Sequence, residues 1–327
     1  SLTINDVTPD DEGAYLCQAN NGVGSGLSKL VQLKVHVGAH FAHKFGSQTV
    51  TKGQDVWIEC LSLGENPIAI VVTRDGIPFD PNIDNRYEVI RNETNDAFGL
   101  RLHIRDTNRR DSALYTCSAH NRYGSDEYNH QIIVQEPPDI PENVRISEIS
   151  SRSALISWME SFTGNTILTK YRLELKTSAN SWQSSDTSVE TIAGNENSFT
   201  IRGLKPITSY HIRVRAQNKL GFSAYCPDIH FTTQEEEPSG PPLHIQVFPL
   251  SARSLAVTFR APAPETRNGR IQGYYLGYKA LEMDTNFMFK KLAINELSND
   301  GNQQNEVNIT SLMANTKYAI VVQAFNG

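Results

Sequence analysis

Seven residues recur at a fixed offset of 100 positions: Leu2, Ile4, Asp11, Tyr15, Cys17, Asn21 and Gly24 return as Leu102, Ile104, Asp111, Tyr115, Cys117, Asn121 and Gly124. One spacing held over that many positions is an internal repeat, so the chain is an array of units about a hundred residues long. Inside each copy the apolar residues step by two, the period of a strand with one buried face. Tyr115 and Cys117 therefore look into one core while Thr116 and Ser118 look out, and Asn121 and Gly124 form a turn. The fold class that follows is all-β, a tandem array of sandwiches. With 327 residues, each unit is large enough to bury its own core.

The net charge of -6 is mild and the 30 Lys and Arg are scattered, which argues against a nucleic-acid or polybasic membrane surface. No apolar run approaches the roughly 20 residues needed to cross a bilayer, and the first residues do not read as a signal peptide, as expected of a stretch that opens at the edge of a strand. Catalysis, cofactor and metal readings find no support. His40 and His43 lack the Glu and the helix of a zinc site. His103, between Leu102 and Ile104 on the outward phase of its strand, is expected to be exposed.

The Tyr two residues before the Cys resembles the tyrosine corner of an immunoglobulin-type sandwich, where the hydroxyl bonds back to the backbone at the turn. In that fold the preceding Asp reaches an Arg across the sandwich end, so Asp111, four residues ahead of the corner Tyr115, is expected to pair with Arg86, next to Tyr87 at a strand start. Residues 1–37 then read as the C-terminal part of one such domain, with its earlier strands upstream and Cys17 separated from a partner there. The glycine-rich run Asn21 to Gly26 leads into a strand and reads as a hairpin turn, not a phosphate loop. Residues 38–136 form a complete domain. Val56, Ile58 and Cys60 alternate inward, and the 57 positions between Cys60 and Cys117 suit a bridge between two sheets. The Trp expected about a dozen residues after the first Cys is missing, with Val72 in its place. Trp57, one residue out of phase with Cys60, should face outward, either as a contact residue or covered by a neighbouring side chain.

The proline-rich string Glu136 to Pro141 is a short, stiff junction to a different repeat. Residues 139–234 carry Trp158 on an early strand and Leu204, Tyr210, Ile212, Val214 and Ala216 around a corner. Residues 238–327 repeat this with Phe259, Leu312, Tyr318, Ile320, Val322 and Ala324, short of a last strand and with Ala314 where the first copy has Pro206. A Trp on the second strand, a Tyr corner and no bridging cysteines resemble fibronectin type III modules. Glu235, Glu236 and Glu237 ahead of Pro-Ser-Gly-Pro-Pro read as a solvated, self-repelling linker. Cys226 is the unexpected residue. It is a buried small hydrophobe, half of an intermolecular disulfide, or a reactive thiol.

The module order, the run Arg110, Asp111, Tyr115, Cys117, Asn121, Tyr123, Gly124 into Glu136-Pro137-Pro138, and the later strings Glu237 to Pro242 and Asn268 to Tyr278 together resemble the Down syndrome cell adhesion molecule (Dscam) family. The resemblance spans the whole chain. It implies the extracellular part of a single-pass cell-surface receptor in neurons or immune cells, adhering homophilically through immunoglobulin domains upstream, with this segment mainly a stalk and spacer. The membrane attachment would lie downstream. Alternatives from the same two modules are an intracellular muscle-type filament scaffold and the ectodomain of a receptor tyrosine phosphatase. A Cys60–Cys117 bond and the sequons at Asn92 and Asn308 favour the extracellular reading.

Overall fold

A computed structural model describes residues 2–94, 97–282, 286–294, 297, 301 and 303–327. Ser1, the first residue of the stretch read as 1–37, lies outside them. The chain divides into two compact units, one holding Ser1–Pro138 with Phe162–Ile167 and Asn218–Gly221, the other holding Asp139–Ser161, Leu168–Gln217 and Phe222–Gly327.

Unit 1 begins with a hairpin, β1 (Gly13–Ala19) against β2 (Leu27–Leu33). The Asn20 and Asn21 side chains accept from the Gly22 and Val23 amides, so the glycine-rich run is a turn. β1 and β2 are largely exposed.

The sandwich of unit 1 comprises β3 (His40–Phe41), β4 (Phe45–Thr51), β5 (Val56–Leu63), β6 (Ala69–Arg74), β7 (Ile77–Pro78), β8 (Tyr87–Glu93), β9 (Ala97–Ile104), β10 (Leu114–Asn121) and β11 (Gly124–Gln135). One sheet runs β3-β5-β9-β8 and the other β4-β11-β10-β6-β7. β5 alternates strictly, Val56, Ile58, Cys60 and Ser62 in, the residues between them out. β10 does the same with Tyr115, Cys117 and Ala119. Cys60 and Cys117 are bonded across the two sheets, among Ile58, Leu102, Ile104 and Ile132. Val72 stands opposite Cys117 in register and packs half-buried on this core, so a smaller side chain fills the place of the usual Trp.

Unit 2 holds two further sandwiches. The first has β12 (Glu142–Ser147), β13 (Ser153–Met159), β14 (Leu168–Thr177), β15 (Ser188–Ala193), β16 (Ser198–Arg202), β17 (Ser209–Asn218), β18 (Gly221–Phe222) and β19 (Ile229–Thr232). Its sheets are β12-β13-β16 and β15-β14-β17-β18, with β19 also on β17. The second has β20 (Leu243–Ser251), β21 (Ser254–Arg260), β22 (Gly273–Ala280), β23 (Met288–Ala293), β24 (Asn305–Ile309) and β25 (Tyr318–Phe325), in sheets β20-β21-β24 and β23-β22-β25. Trp158 packs on Tyr171 at 5.0 Å between ring centroids, and Phe259 takes the same role against Tyr274 at 4.8 Å. Both corners close alike. The Lys205 amide donates to the Tyr210 hydroxyl at 2.9 Å and the Met313 amide to that of Tyr318 at 2.9 Å. The bond is made by a backbone N–H, so the exchange of Pro206 for Ala314 leaves it intact.

The acidic run between these two sandwiches is not the free, self-repelling linker its composition suggests. Arg152 Nε donates to Glu236 at 2.7 Å, the Arg270 amide donates to Glu235 at 3.3 Å, and the Asn268 and Asn326 amides donate to the Glu237 and Glu236 carbonyls. Main-chain bonds fix it, and the exposed ion pair adds little.

Candidate functional site

The most tightly built constellation lies at one end of the immunoglobulin sandwich. Asn108 caps the short turn Arg109–Asp111, its side chain accepting from the Arg110 amide while Asp111 accepts from the Asn108 amide at 2.9 Å. That turn delivers Asp111 into the core, where it is 0% exposed. Its carboxylate accepts from Arg86 Nη1 at 2.8 Å, Arg86 Nη2 at 3.3 Å and the Tyr87 hydroxyl at 2.6 Å. Burial pushes the Asp111 carboxyl up, but hydrogen bonds from Arg86, Tyr87 and the Asn108 amide outweigh it and hold the group below the usual carboxylate range. Burial and the bond to Asp111 push the Tyr87 phenol up to about 12. The Tyr115 hydroxyl donates to the Asp111 carbonyl at 3.4 Å. Arg86 also pairs with Asp84 at 2.8 Å. Tyr87 and Asp84 were not among the expected members. Their signal was adjacency, since both flank Arg86 at the start of β8.

On the outer face of the β5/β9 sheet, Trp57 and His103 lie opposite each other and stack at 3.8 Å with planes 3° apart. Arg101 covers the indole at 5.0 Å. His103 is therefore 8% exposed, against its expected exposure. The strand phase is as read, but a flat neighbour on the next strand buries the ring. His103 Nε2 bonds Asp55 at 3.1 Å. Trp57 is thus engaged within its own sheet.

A third constellation was not visible in the sequence. Glu136, at the end of β11, is 3% exposed and pairs with Arg109 at 2.5 Å and Lys52 at 2.9 Å. Its amide donates to the Gly164 carbonyl at 3.1 Å and its carbonyl accepts from Asn218 Nδ2 at 2.7 Å. Asn165 Nδ2 donates to the Val134 carbonyl at 2.8 Å, and Arg109 stacks on Phe162 at 4.4 Å. All these residues belong to unit 1. Gly164 adopts φ +77°, and a Cβ there would strike the Glu136 carbonyl oxygen.

Asn92 on β8 and Asn308 on β24 are exposed, each on a strand at the edge of its sheet. Cys226 is buried, its Sγ accepting from the Val214 amide at 3.2 Å, and burial pushes the thiol up. Cys17 is exposed. Among the described residues no three His, Cys, Asp or Glu side chains are grouped to hold a metal ion, and no helix is long and apolar enough to cross a membrane.

A disulfide-bridged sandwich with a tyrosine corner, followed by two bridgeless sandwiches with Tyr corners, defines an immunoglobulin–fibronectin module array. Residues 39–134 match the immunoglobulin I-set domain family, and 139–232 and 240–327 match the fibronectin type III domain family. Over its whole length the chain is 35% identical to the cell adhesion molecule Dscam1 and 37% identical to Dscam2, both of Drosophila melanogaster, and 36% identical to the cell adhesion molecule DSCAM of Gallus gallus. The chain belongs to the Dscam family of cell adhesion molecules and spans 16% of the length of these relatives. Among solved structures it is similar to domains A168–A170 of titin, with 27% identity and a TM-score of 0.37 over 71% of this chain and 78% of that one.

Proposed function

We propose that this segment is an extracellular spacer of a cell-surface adhesion receptor, holding recognition domains upstream of it at a set distance from a downstream membrane anchor. The observation that carries the reading is the match, over the whole length of this chain, to cell adhesion molecules. Three features support it. Cys60 and Cys117 are bonded, which suits an oxidising compartment. Asn92 and Asn308 stand exposed on edge strands, where a glycan projects into solvent and blunts the edge. Trp57 is stacked on His103 and covered by Arg101, so all but 37% of its surface is taken up within its own sheet. On this reading, homophilic recognition between neurons or immune cells resides in the upstream domains.

Cell aggregation tests the proposal. Replacing residues 38–234 of the full receptor with an unrelated immunoglobulin–fibronectin pair of equal length should preserve aggregation, and beads bearing this segment alone should stay dispersed. Aggregation of those beads would show that the segment itself is adhesive.

A further inference from the structure

Val72 occupies the position of the usual core Trp with a smaller side chain, and a hollow of about 210 Å3 adjoins it, lined by Val72, Phe79, Val89, Leu100, Leu102 and Arg91 among others. Leu100 and Leu102 form its floor, 3% and 1% exposed, while Val72, Phe79 and Val89 pack half-buried on the same core. Its walls come from both sheets of the immunoglobulin sandwich. β8 is the last strand of one sheet, and β6 and β7 are the last two of the other, so the hollow lies between two sheet edges.

The aromatic wall is fixed in place. Phe79 meets Tyr87 edge-on at 4.9 Å and Tyr115 at 5.9 Å, and Arg74 lies over its ring at 5.9 Å. A ring held by three neighbours does not fold into the hollow, so the space persists. Apart from Arg91, the side chains that line it are apolar. An ordered water needs two to four polar partners, and these walls favour an apolar occupant over it.

Size and lining narrow the occupant further. A cavity of roughly 150 Å3 with such walls is enough for a benzene ring, and an aromatic ring gains from edge-on or offset contact with Phe79 beyond the area it buries. Arg91 supplies the sign of the charge. It stands opposite Leu100 in register, as Val89 stands opposite Leu102, so it shares the inward phase of β8. It is exposed, and among the described residues it makes no ion pair. An apolar hollow with one unpaired cation in its lining suits a ring that carries one negative charge. We propose that this hollow binds a small aromatic acid, its ring on Leu100 and Leu102 against Phe79 and its carboxylate at Arg91. The site does not depend on the spacer reading, and the two can fail separately.

The test is titration of the chain with indole-3-acetate, indole and tryptamine, followed by ligand-observed NMR. Indole-3-acetate should bind, indole should bind about fivefold more weakly, as the loss of one solvent-exposed ion pair implies, and tryptamine more weakly still. Arg91→Gln should bring indole-3-acetate down to the affinity of indole. Val72→Trp, which restores the usual residue, should abolish binding of all three with the melting profile of a folded chain. If that variant fails to fold, Val89→Phe, which narrows the hollow from the other sheet, decides the matter by the same loss. Absence of binding, indole-3-acetate no tighter than indole, a preference that survives Arg91→Gln, or binding that survives in the folded Val72→Trp or Val89→Phe chain would each overturn the proposal.

Discussion

Arg86→Ala removes the guanidinium that faces Asp111 and leaves a carboxylate with 0% exposure to be satisfied by the Tyr87 hydroxyl and the Asn108 amide alone. Stripping one partner from a buried ion pair costs about 3 to 5 kcal/mol. The Arg86 side chain is 24% exposed, so water reaches the vacated position and the lower end, about 3 kcal/mol, applies. That is a large share of the roughly 5 to 15 kcal/mol by which such a domain is stable. Hydrogen exchange read by mass spectrometry isolates the effect from the fibronectin modules, because peptides from β5, β9 and β10 report the immunoglobulin core alone. Their slowest amides, exchanging by global opening, should exchange about a hundredfold faster in the variant, while peptides from β22 and β25 stay unchanged. The paired replacement Arg86→Met with Asp111→Leu should recover most of the loss, since apolar residues of similar volume leave no stranded charge. Core exchange rates unchanged in Arg86→Ala would refute the reasoning.

Other outcomes follow from the same structure. The folded Asp111 value lies below its unfolded one, so the unfolded chain takes the proton first. The stability this group contributes is present above about pH 4 and is lost as pH falls through the folded value. In urea titrations the gap between the native chain and Asp111→Asn should therefore narrow from about pH 4 downward. Cys226 should resist alkylation until denaturant opens its module, and non-reducing electrophoresis should show a monomer. A dimer band abolished by Cys226→Ser would contradict its burial. Gly164→Ala should cost about 1 to 2 kcal/mol from the left-handed backbone alone, with more from the clash at the Glu136 carbonyl, and deprotect the amides of 162–167 first. Unchanged exchange in that loop would show that the contact is not formed.

What could be read from the chain was set by periodicity. The two-residue step through Val56, Ile58 and Cys60, matched by Tyr115 and Cys117, requires an inward face on each strand and places the cysteines within bonding reach. The offset of 100 located the corner that carries Asp111. What escaped was set by neighbours distant in sequence. His103 obeys its strand phase and is nevertheless buried, because Trp57 on the adjoining strand lies flat over it. Glu136 reads as a linker residue, yet its carboxylate is met by Lys52, 84 positions earlier, and by Arg109. Glu235 and Glu236 read as a repelling run, yet the Arg270 backbone amide bonds the Glu235 carboxylate and Asn326 bonds the Glu236 carbonyl, which hold the run in place. Around Glu174 of the first fibronectin module, Arg213 stacks between Trp182 and Tyr225 and Arg215 between Tyr225 and Phe222, members drawn from three strands and two connections, a meeting with no periodic signature.

The extracellular adhesion account is tested most directly by peptide mapping, without reduction, of the receptor isolated from the cells that make it. The account predicts one peptide pair joined through Cys60 and Cys117, and peptides bearing Asn92 and Asn308 that gain mass from N-linked glycans and convert to Asp on enzymatic release. Both cysteines recovered as free thiols, with Asn92 and Asn308 unmodified, would contradict it and place the chain in a reducing compartment.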